Sequence, residues 1–144
     1  MASYNKFNNT VQYFGTAGFS LNNVDTLKLE LSNTAPVATN STYSDISANE
    51  LSGVNGYTTG GASLTTVTYT NSSGTSTLYA DNVVFTATGS MGPFRYATVY
   101  DSTNASKPLI GWWDYGTSIT LNSGETFTVS FSGNSPARSV LQLS

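Results

Sequence analysis

The run Trp112-Trp113-Asp114-Tyr115 is the part of the sequence best suited to chemistry or to ligand binding. Aromatic surroundings can raise the pKa of a carboxyl group, so Asp114 is a candidate acid of a carboxylate-based glycan hydrolase. Asp101 and Glu125 lie in the same aromatic C-terminal half and could complete a carboxylate pair. The simpler interpretation, which we favour, is that the aromatic side chains pack and that Asp114 ends a strand beside Gly116.

The sequence lacks most of the groups that other kinds of catalysis need. The sequence contains no histidine and no cysteine, so a Ser/His/Asp mechanism, thiolate chemistry and structural zinc sites are excluded. The glycine-rich stretch Gly53–Gly61 lacks the Gly-Lys-Ser/Thr of a phosphate loop, and no acidic run has the spacing of a calcium loop. We therefore predict a protein that is not an enzyme, with no catalytic residue, no cofactor and no metal site.

The charge balance excludes further classes of partner. Five basic residues stand against eight acidic ones, the net charge is −3, and the basic residues are scattered, which argues against nucleic acid and anionic membranes. No stretch approaches the roughly 20 apolar residues of a membrane span, and the N-terminus lacks a secretion signal. We expect the chain to fold in the cytosol where it is made, and durability to come from packing and association because disulfides are absent.

The adjacent tryptophans are candidate contact residues. In a strand, Trp112 and Trp113 point to opposite sides, so one ring should enter the core and the other should face outward. An exposed tryptophan is a common anchor of protein interfaces. We therefore select Trp112, Trp113 and Tyr115 as the candidate contact residues.

The elements that position these residues should be β-strands. Thr, Tyr, Phe and Val favour strands, while the abundant Gly, Asn and Ser favour turns, and short strand-like runs alternate with turn clusters along the whole chain. We predict one all-β domain over 1–144, an antiparallel β-sandwich or barrel with one or two short helices. The predicted strands are Leu27–Leu31, Leu64–Thr70, Thr75–Ala80, Asn82–Thr88, Phe94–Tyr100, Leu109–Tyr115, Ile119–Leu121 and Thr126–Phe131.

Two of these predictions are the most specific. Strict alternation in Leu27–Leu31 places three leucines on one face and Lys28 and Glu30 on the other, which predicts a half-buried strand. Ile119–Leu121 and Thr126–Phe131 flank the turn-forming sequence Asn122-Ser123-Gly124-Glu125, which predicts a hairpin. Its buried face should carry Phe127, Val129 and Phe131.

Short helices and loops fill the remaining segments. Phe7, Val11 and Phe14 have the spacing of one helix face, and Ser44–Leu51 predicts one or two helical turns with Ser44 as N-cap. The segments 33–44 and 53–61 are predicted as loops.

The two terminal segments, 1–14 and 132–144, are predicted docking arms. Within the second, Ser139–Leu143 has the pattern of either a closing strand or an arm that binds a neighbour.

Several ordered segments resemble a family of small β-rich structural proteins of tailed-bacteriophage virions. The resemblance extends over nearly the whole chain to about Phe131, except for Asn9–Asn23, and it carries over no catalytic residue. The similar segments are Tyr4–Phe7, Asp25–Leu29, Ser32–Val37, Gly56–Gly61, Val84–Ala87, Gly92–Tyr96, Pro108–Gly116 and Ile119–Val129.

The resemblance implies a virion structural protein made in the host bacterial cytoplasm, and specifically a capsid decoration, or cement, protein. Its expected partners are the major capsid protein and copies of itself, as a homo-oligomer on the virion. The alternative is a tail- or fibre-associated adhesion domain that binds carbohydrate through Trp112, Trp113 or Tyr115.

Overall fold

A computed structural model of the protein describes residues 3–16, 18–22, 24–131 and 137–144, and these fold mainly as β-strands. One short helix, α1 (Thr10–Gly15), and two 3-10 turns, Tyr43–Asp45 and Ser47–Asn49, accompany the strands. The strands are β1 (Ser3–Lys6), β2 (Leu27–Ser32), β3 (Ala62–Ser63), β4 (Thr68–Ser72), β5 (Thr75–Tyr79), β6 (Val83–Thr86), β7 (Met91–Asp101), β8 (Leu109–Leu121), β9 (Thr126–Val129) and β10 (Ser139–Leu143). The predicted all-β fold class is confirmed.

The strands form three sheets in which every neighbouring pair is antiparallel. The largest has five strands in the order β1-β8-β7-β2-β3, the second has the order β10-β5-β4, and the third consists of β6 and β9. One face of the five-stranded sheet packs against both smaller sheets. The result is a two-layered arrangement whose second layer is divided into two pieces.

The space between the layers is the main core, to which all three sheets contribute. Leu27, Leu29 and Leu31 of β2 are fully buried there, as their alternation predicts. Leu78 of β5 and Phe85 of β6 face them from the second layer. Burying a leucine or phenylalanine side chain stabilises the fold by about 1.5–3 kcal/mol, so this shared core holds the two pieces of the second layer on the sheet.

The opposite face of the five-stranded sheet is also covered. A second cluster forms there from Phe7, the segment with the 3-10 turns, and outward-pointing side chains of β7 and β8. Ring centroids of Phe7 and Trp112 lie 4.5 Å apart, as do those of Tyr43 and Tyr100. The prediction that β2 is half-buried is therefore wrong, because Glu30 on this covered face has no exposed surface.

The strongest hairpin prediction is wrong in its pairing. Ile119–Leu121 is not a separate strand but the end of the long strand β8, where Ile119 pairs with Phe94 of β7. The following strand β9 pairs with β6, so that Phe127 lies opposite Phe85. The predicted inward face of β9 is confirmed nevertheless, since Val129 and Phe131 are buried and Phe127 is half-buried against the main core.

The predicted N-terminal helix face is also wrong. Phe7 precedes α1 and belongs to the second cluster, Phe14 packs against the main core, and Val11 between them is 50% exposed. The predicted turns near Ser44 are present, but their N-cap is Thr42, two residues before the predicted Ser44. The Thr42 backbone N–H donates to the Asp45 carboxylate over 3.0 Å.

The terminal strands pair within the chain. Strand β1 pairs with β8, and β10 pairs with β5. Val140 and Leu141 of β10 are part of the main core, so this segment closes the chain's own second layer. Residues 132–136 of the predicted C-terminal arm lie outside the described residues, as do residues 1 and 2 of the N-terminal one.

Candidate functional site

An aromatic groove lies between the five-stranded sheet and the strands β9 and β10 of the second layer. Its volume is about 640 Å³. The five-stranded sheet provides its floor, and β9 and β10 form its wall. The lining includes Tyr4, Phe94, Arg95, Trp113, Tyr115, Phe127, Thr128, Val129, Ser130, Ser139, Val140, Leu141 and Gln142.

The rings of the groove support one another. Tyr4 of β1 contacts Trp113 of β8 with ring centroids 5.3 Å apart, and Phe127 of β9 lies 4.9 Å from Phe94 and 5.4 Å from Tyr115. Tyr115 is 48% exposed and Tyr4 is 40% exposed, so both rings are accessible to solvent. The groove therefore presents a preformed apolar surface to solvent, the form that ligand sites commonly take.

A wide irregularity in β8 places Tyr115 at this surface. Asp114 pairs with Tyr96, and the next paired residue, Ile119, lies opposite Phe94, so four residues of β8 stand against one residue of β7. Gly116 within this bulge has a φ of 92°, which a glycine adopts without strain. Bulges commonly redirect side chains beside functional sites, and here Tyr115 is directed into the groove.

Arg95 and Asp114 hold the bulge in place. The guanidinium donates from Nε and Nη2 to the two carboxylate oxygens over 2.7 and 2.9 Å, and the Gly116 N–H donates to the same carboxylate over 2.8 Å. The Arg95 side chain lowers the pKa of Asp114, and the Gly116 N–H lowers it further. The lowered pKa contradicts the alternative in which aromatic surroundings raise the pKa of Asp114. The favoured interpretation is wrong in one respect, because Asp114 lies within β8 and not at the end of a strand.

The three acids named from the sequence have different surroundings. Asp101 ends β7, and its carboxylate accepts hydrogen bonds from the Thr103 and Asn104 N–H groups. Burial raises the pKa of Asp101 to about 6. Glu125 lies in the turn after β8, where it accepts a hydrogen bond from the Asn122 N–H over 2.7 Å. Neither acid contributes to the hydrogen bonds that hold Asp114.

The backbone of β9 and β10 borders the groove directly. Side chains of a strand alternate between its two faces, yet consecutive residues 127–130 and 139–142 line the groove. Such a lining arises where a strand presents its edge. In agreement, β9 has only β6 as a neighbour, and β10 has only β5, within the described part of the chain.

The groove divides the candidate contact residues predicted from the sequence. Trp113 and Tyr115 line it, whereas Trp112 points to the second cluster and is 9% exposed. The prediction that the two tryptophans occupy opposite faces is confirmed, since Trp112 packs in the second cluster and Trp113 is half-buried in the groove.

Sequence analysis missed Tyr4, Phe94 and Arg95 as groove residues. The only local signal for these residues is their spacing. An aromatic residue lies two positions from another aromatic or polar residue, as on one face of a strand. The pairing that brings them together joins segments far apart in the sequence.

A second set of ionisable groups lies on the covered face of the sheet. The Glu50 carboxylate accepts hydrogen bonds from the hydroxyls of Tyr43 and Tyr57 and from the Gly60 N–H, the last over 2.7 Å. Glu30 is buried nearby, opposite Thr98, and its carboxylate oxygens have no hydrogen-bond partner. Burial raises the pKa of Glu30 to about 8, and the charge of Glu50 acts in the same direction.

These groups show no arrangement typical of a metal site. Across residues 3–16, 18–22, 24–131 and 137–144, the acidic side chains do not gather in threes. In the same residues, no helix has the length and hydrophobicity needed to cross a membrane.

No protein-family model matches the sequence, and no curated protein or solved structure does either.

Proposed function

We propose that the protein is a non-enzymatic structural component of a tailed-phage virion, a capsid decoration protein that binds and stabilises the major capsid shell. The observation that carries the proposal is the aromatic groove bordered by two strand edges, because this combination of exposed rings and exposed backbone is suited to binding another protein. The resemblance of the ordered segments to phage structural proteins supports the same function.

The electrostatics of the groove favour binding over catalysis. Arg95 keeps Asp114 ionised at neutral pH, and an ionised carboxylate cannot act as the general acid of a glycan hydrolase. The same ion pair fixes the bulge that carries Tyr115. Asp114 thus has a structural role in the proposal.

Decoration proteins act in many copies, and weak contacts then reinforce one another. Each subunit fixed on a symmetric shell raises the effective concentration for its next contact. The proposed partners are the major capsid protein and neighbouring copies of this chain. In this proposal the protein is made in the host cytoplasm and resides on the virion.

Virions of the encoding phage provide the test. Gel densitometry should show hundreds of copies per particle, and particles that lack the protein should lose infectivity faster on heating or osmotic shock. Supplying the Tyr115→Ala variant, which lacks an exposed ring of the groove, should restore less of this stability than supplying Thr126→Ala, which changes an exposed residue outside the lining. Full stability of the deleted particles together with failed adsorption to host cells would contradict the proposal.

A carbohydrate-binding adhesion domain is the second candidate. Its supporting observation is the exposure of Tyr4 and Tyr115 beside Trp113. The Arg95 guanidinium lines the same groove and is a hydrogen-bond donor. Titration of the purified protein with host surface polysaccharide should then change the fluorescence of wild type but not of Trp113→Ala. Densitometry giving only tens of copies per virion would favour this candidate.

A further inference from the structure

We infer that the carboxyl groups of Asp25 and Asp101 form a site for one calcium ion at the end of β7. Neither residue lines the aromatic groove, so this inference goes beyond the proposed function and does not rest on it. Three observations support the site. The two carboxyl groups lie side by side, one of their oxygens is buried without a partner, and no described basic side chain neutralises them.

The two acids belong to distant parts of the sequence that are tied together around them. Leu27, the first residue of β2, pairs with Asp101, the last residue of β7. Beyond this pair, the Thr26 N–H donates to the Thr103 hydroxyl over 2.8 Å. Burial is the main cause of the raised pKa of Asp101, and the adjacent Asp25 carboxyl raises it further through hydrogen bonding and charge. The fold therefore holds the two carboxyl groups in contact.

The Asp101 carboxylate has one oxygen with hydrogen-bond donors and one without. Its Oδ1 accepts from the Thr103 and Asn104 N–H groups over 2.9 and 3.2 Å. Its Oδ2 is buried and, with Asp25 ionised, has no donor, and the residue has no exposed surface. Because a buried carboxylate oxygen without a partner is costly, a cation that binds to it stabilises the fold. Asp25 is partly exposed, so an ion can reach the pair from solvent.

The negative charge of this pair has no compensation from basic side chains. Both arginines of the chain form ion pairs with other aspartates, and within the described residues no lysine forms an ion pair with either carboxylate. Adjacent carboxylates repel each other when both are ionised, and a cation between them replaces this repulsion with attraction. The pair therefore provides two charged oxygen ligands with no positive partner in the described part of the chain.

The available ligands favour calcium over other metal ions. The chain contains no histidine or cysteine, the ligands that zinc and copper prefer, and carboxylate oxygens suit hard cations. Calcium accepts about 6–8 oxygen ligands in variable geometry, so backbone carbonyls and water can complete its shell, whereas magnesium requires a near-ideal octahedron. With only two carboxylates, we expect a dissociation constant of about 0.1–1 mM.

The test is a calorimetric titration of the purified full-length protein with calcium chloride. Asp25→Asn and Asp101→Asn should each weaken calcium binding roughly tenfold or more, because each removes one of two charged ligands. Asparagine keeps an oxygen that can accept from the backbone N–H groups. The matched control is Asp45→Asn, which changes an exposed carboxylate that also accepts from backbone N–H groups. It should leave the calcium affinity within about twofold.

Urea denaturation provides a second measurement. At about 10 mM calcium, the ratio of folded to unfolded protein should rise about tenfold or more relative to sodium chloride of equal ionic strength, because the ion binds the folded state. Magnesium should have a smaller effect. Asp25→Asn and Asp101→Asn should abolish the rise. If Asp101→Asn does not fold, Asp25→Asn, at a partly exposed position, provides the same comparison.

Amide NMR spectra locate the ion in the fold. Calcium should shift the signals of Ser20, Thr103 and Asn104, whose N–H groups donate to the two carboxylates. The N–H groups that donate to Asp45 should keep their signals unchanged.

Several results would overturn the inference. These are no calcium binding up to about 10 mM, equal affinities of wild type, Asp25→Asn and Asp101→Asn, equal stabilisation by calcium and sodium chloride, or calcium-induced shifts elsewhere only. In any of these cases a proton alone bridges the two carboxyl groups. Every measurement uses the purified protein, so failure of the calcium site is distinct from failure of the virion test.

Discussion

Arg95 of β7 and Asp114 of β8 form a two-pronged ion pair, with N–O distances of 2.7 and 2.9 Å, across the bulge that directs Tyr115 into the groove. Both side chains are partly exposed, so the pair matters more for the position of the bulge than for the stability of the whole fold. Its effect should be visible in acid, where the carboxylate loses its charge.

The first prediction concerns Asp114→Asn. Because the folded-state pKa of Asp114 is lowered, its stabilising effect is present above the unfolded-state pKa of about 3.9 and is lost as the pH falls through the folded value. The urea midpoint of wild type should therefore exceed that of the variant above pH about 4, and the gap should close in more acidic buffer. A constant gap from pH 2 to 7 would contradict the prediction.

The second prediction concerns the buried carboxyl of Glu30. Burial raises its pKa to about 8, so the folded state holds a proton that the unfolded state releases between pH about 4.3 and about 8. Stability should therefore fall as the pH rises through this range, and Glu30→Gln should remove that part of the fall. At pH 9 the variant should be more stable than wild type by on the order of 5 kcal/mol.

Urea denaturation at a series of pH values measures this effect. Glu125→Gln is the matched control, since it makes the same chemical change in an exposed turn and keeps Glu30, so the fall in stability that Glu30 causes should persist. Asp101, with its pKa near 6, acts in the same direction at lower pH, so the readout is the difference between wild type and variant. Parallel profiles for wild type and Glu30→Gln would refute the prediction.

The third prediction compares two glycines with positive φ. At Gly61 an added Cβ would overlap the Leu29 carbonyl and lie 2.8 Å from the Glu30 Cα, whereas at Gly74 it would meet nothing within 4 Å. Gly74→Ala should therefore cost only the strain of the left-handed conformation, about 1 kcal/mol. Gly61→Ala should cost on the order of 3 kcal/mol or more, because two backbone segments must separate. Equal urea midpoints would show that the close approach is absent.

The fourth prediction distinguishes Phe127, within β9, from Phe131, two residues after β9. Phe131 is 1% exposed, so Phe131→Ala should reduce the free energy of unfolding by about 3–5 kcal/mol. Phe127 is only half-buried and lines the groove, so Phe127→Ala should cost about 1–2 kcal/mol. Denaturant unfolding of both variants measures the difference. A larger loss at Phe127 would mean that the groove is closed in solution.

Local pattern predicted much of this fold because it reports which face of a strand is buried. The leucines of β2 and the inner residues of β9 follow their alternation. Alternation does not report which strands pair with each other. The turn at 122–125 therefore resembled the turn of a hairpin, although it connects strands of two different sheets. The burial of Glu30 was missed for a related reason, since a segment distant in sequence covers its face.

The groove was only partly accessible to sequence analysis. Trp113 and Tyr115 were recognisable as candidate contact residues because aromatic residues are common in interfaces. Their setting depends on the bulge in β8 and on two strand edges that meet only after the second layer forms. Neither feature has a local signature. The bulge places four consecutive residues of β8 opposite one residue of β7, and this becomes apparent only once the pairing register is known.

The pairing of β1 with β8 also determines when, during synthesis of the chain, the five-stranded sheet can form. Lys6 pairs with Gly111, so the first strand leaves the ribosome about a hundred residues before its neighbour exists. At roughly 5–20 residues per second, this delay amounts to about 5–20 seconds. During that time Tyr4 and Phe7 have no strand to pack against, and the five-stranded sheet cannot close. The nascent chain therefore completes this sheet only after β8 has emerged, and folding until then competes with aggregation of its exposed aromatic segments.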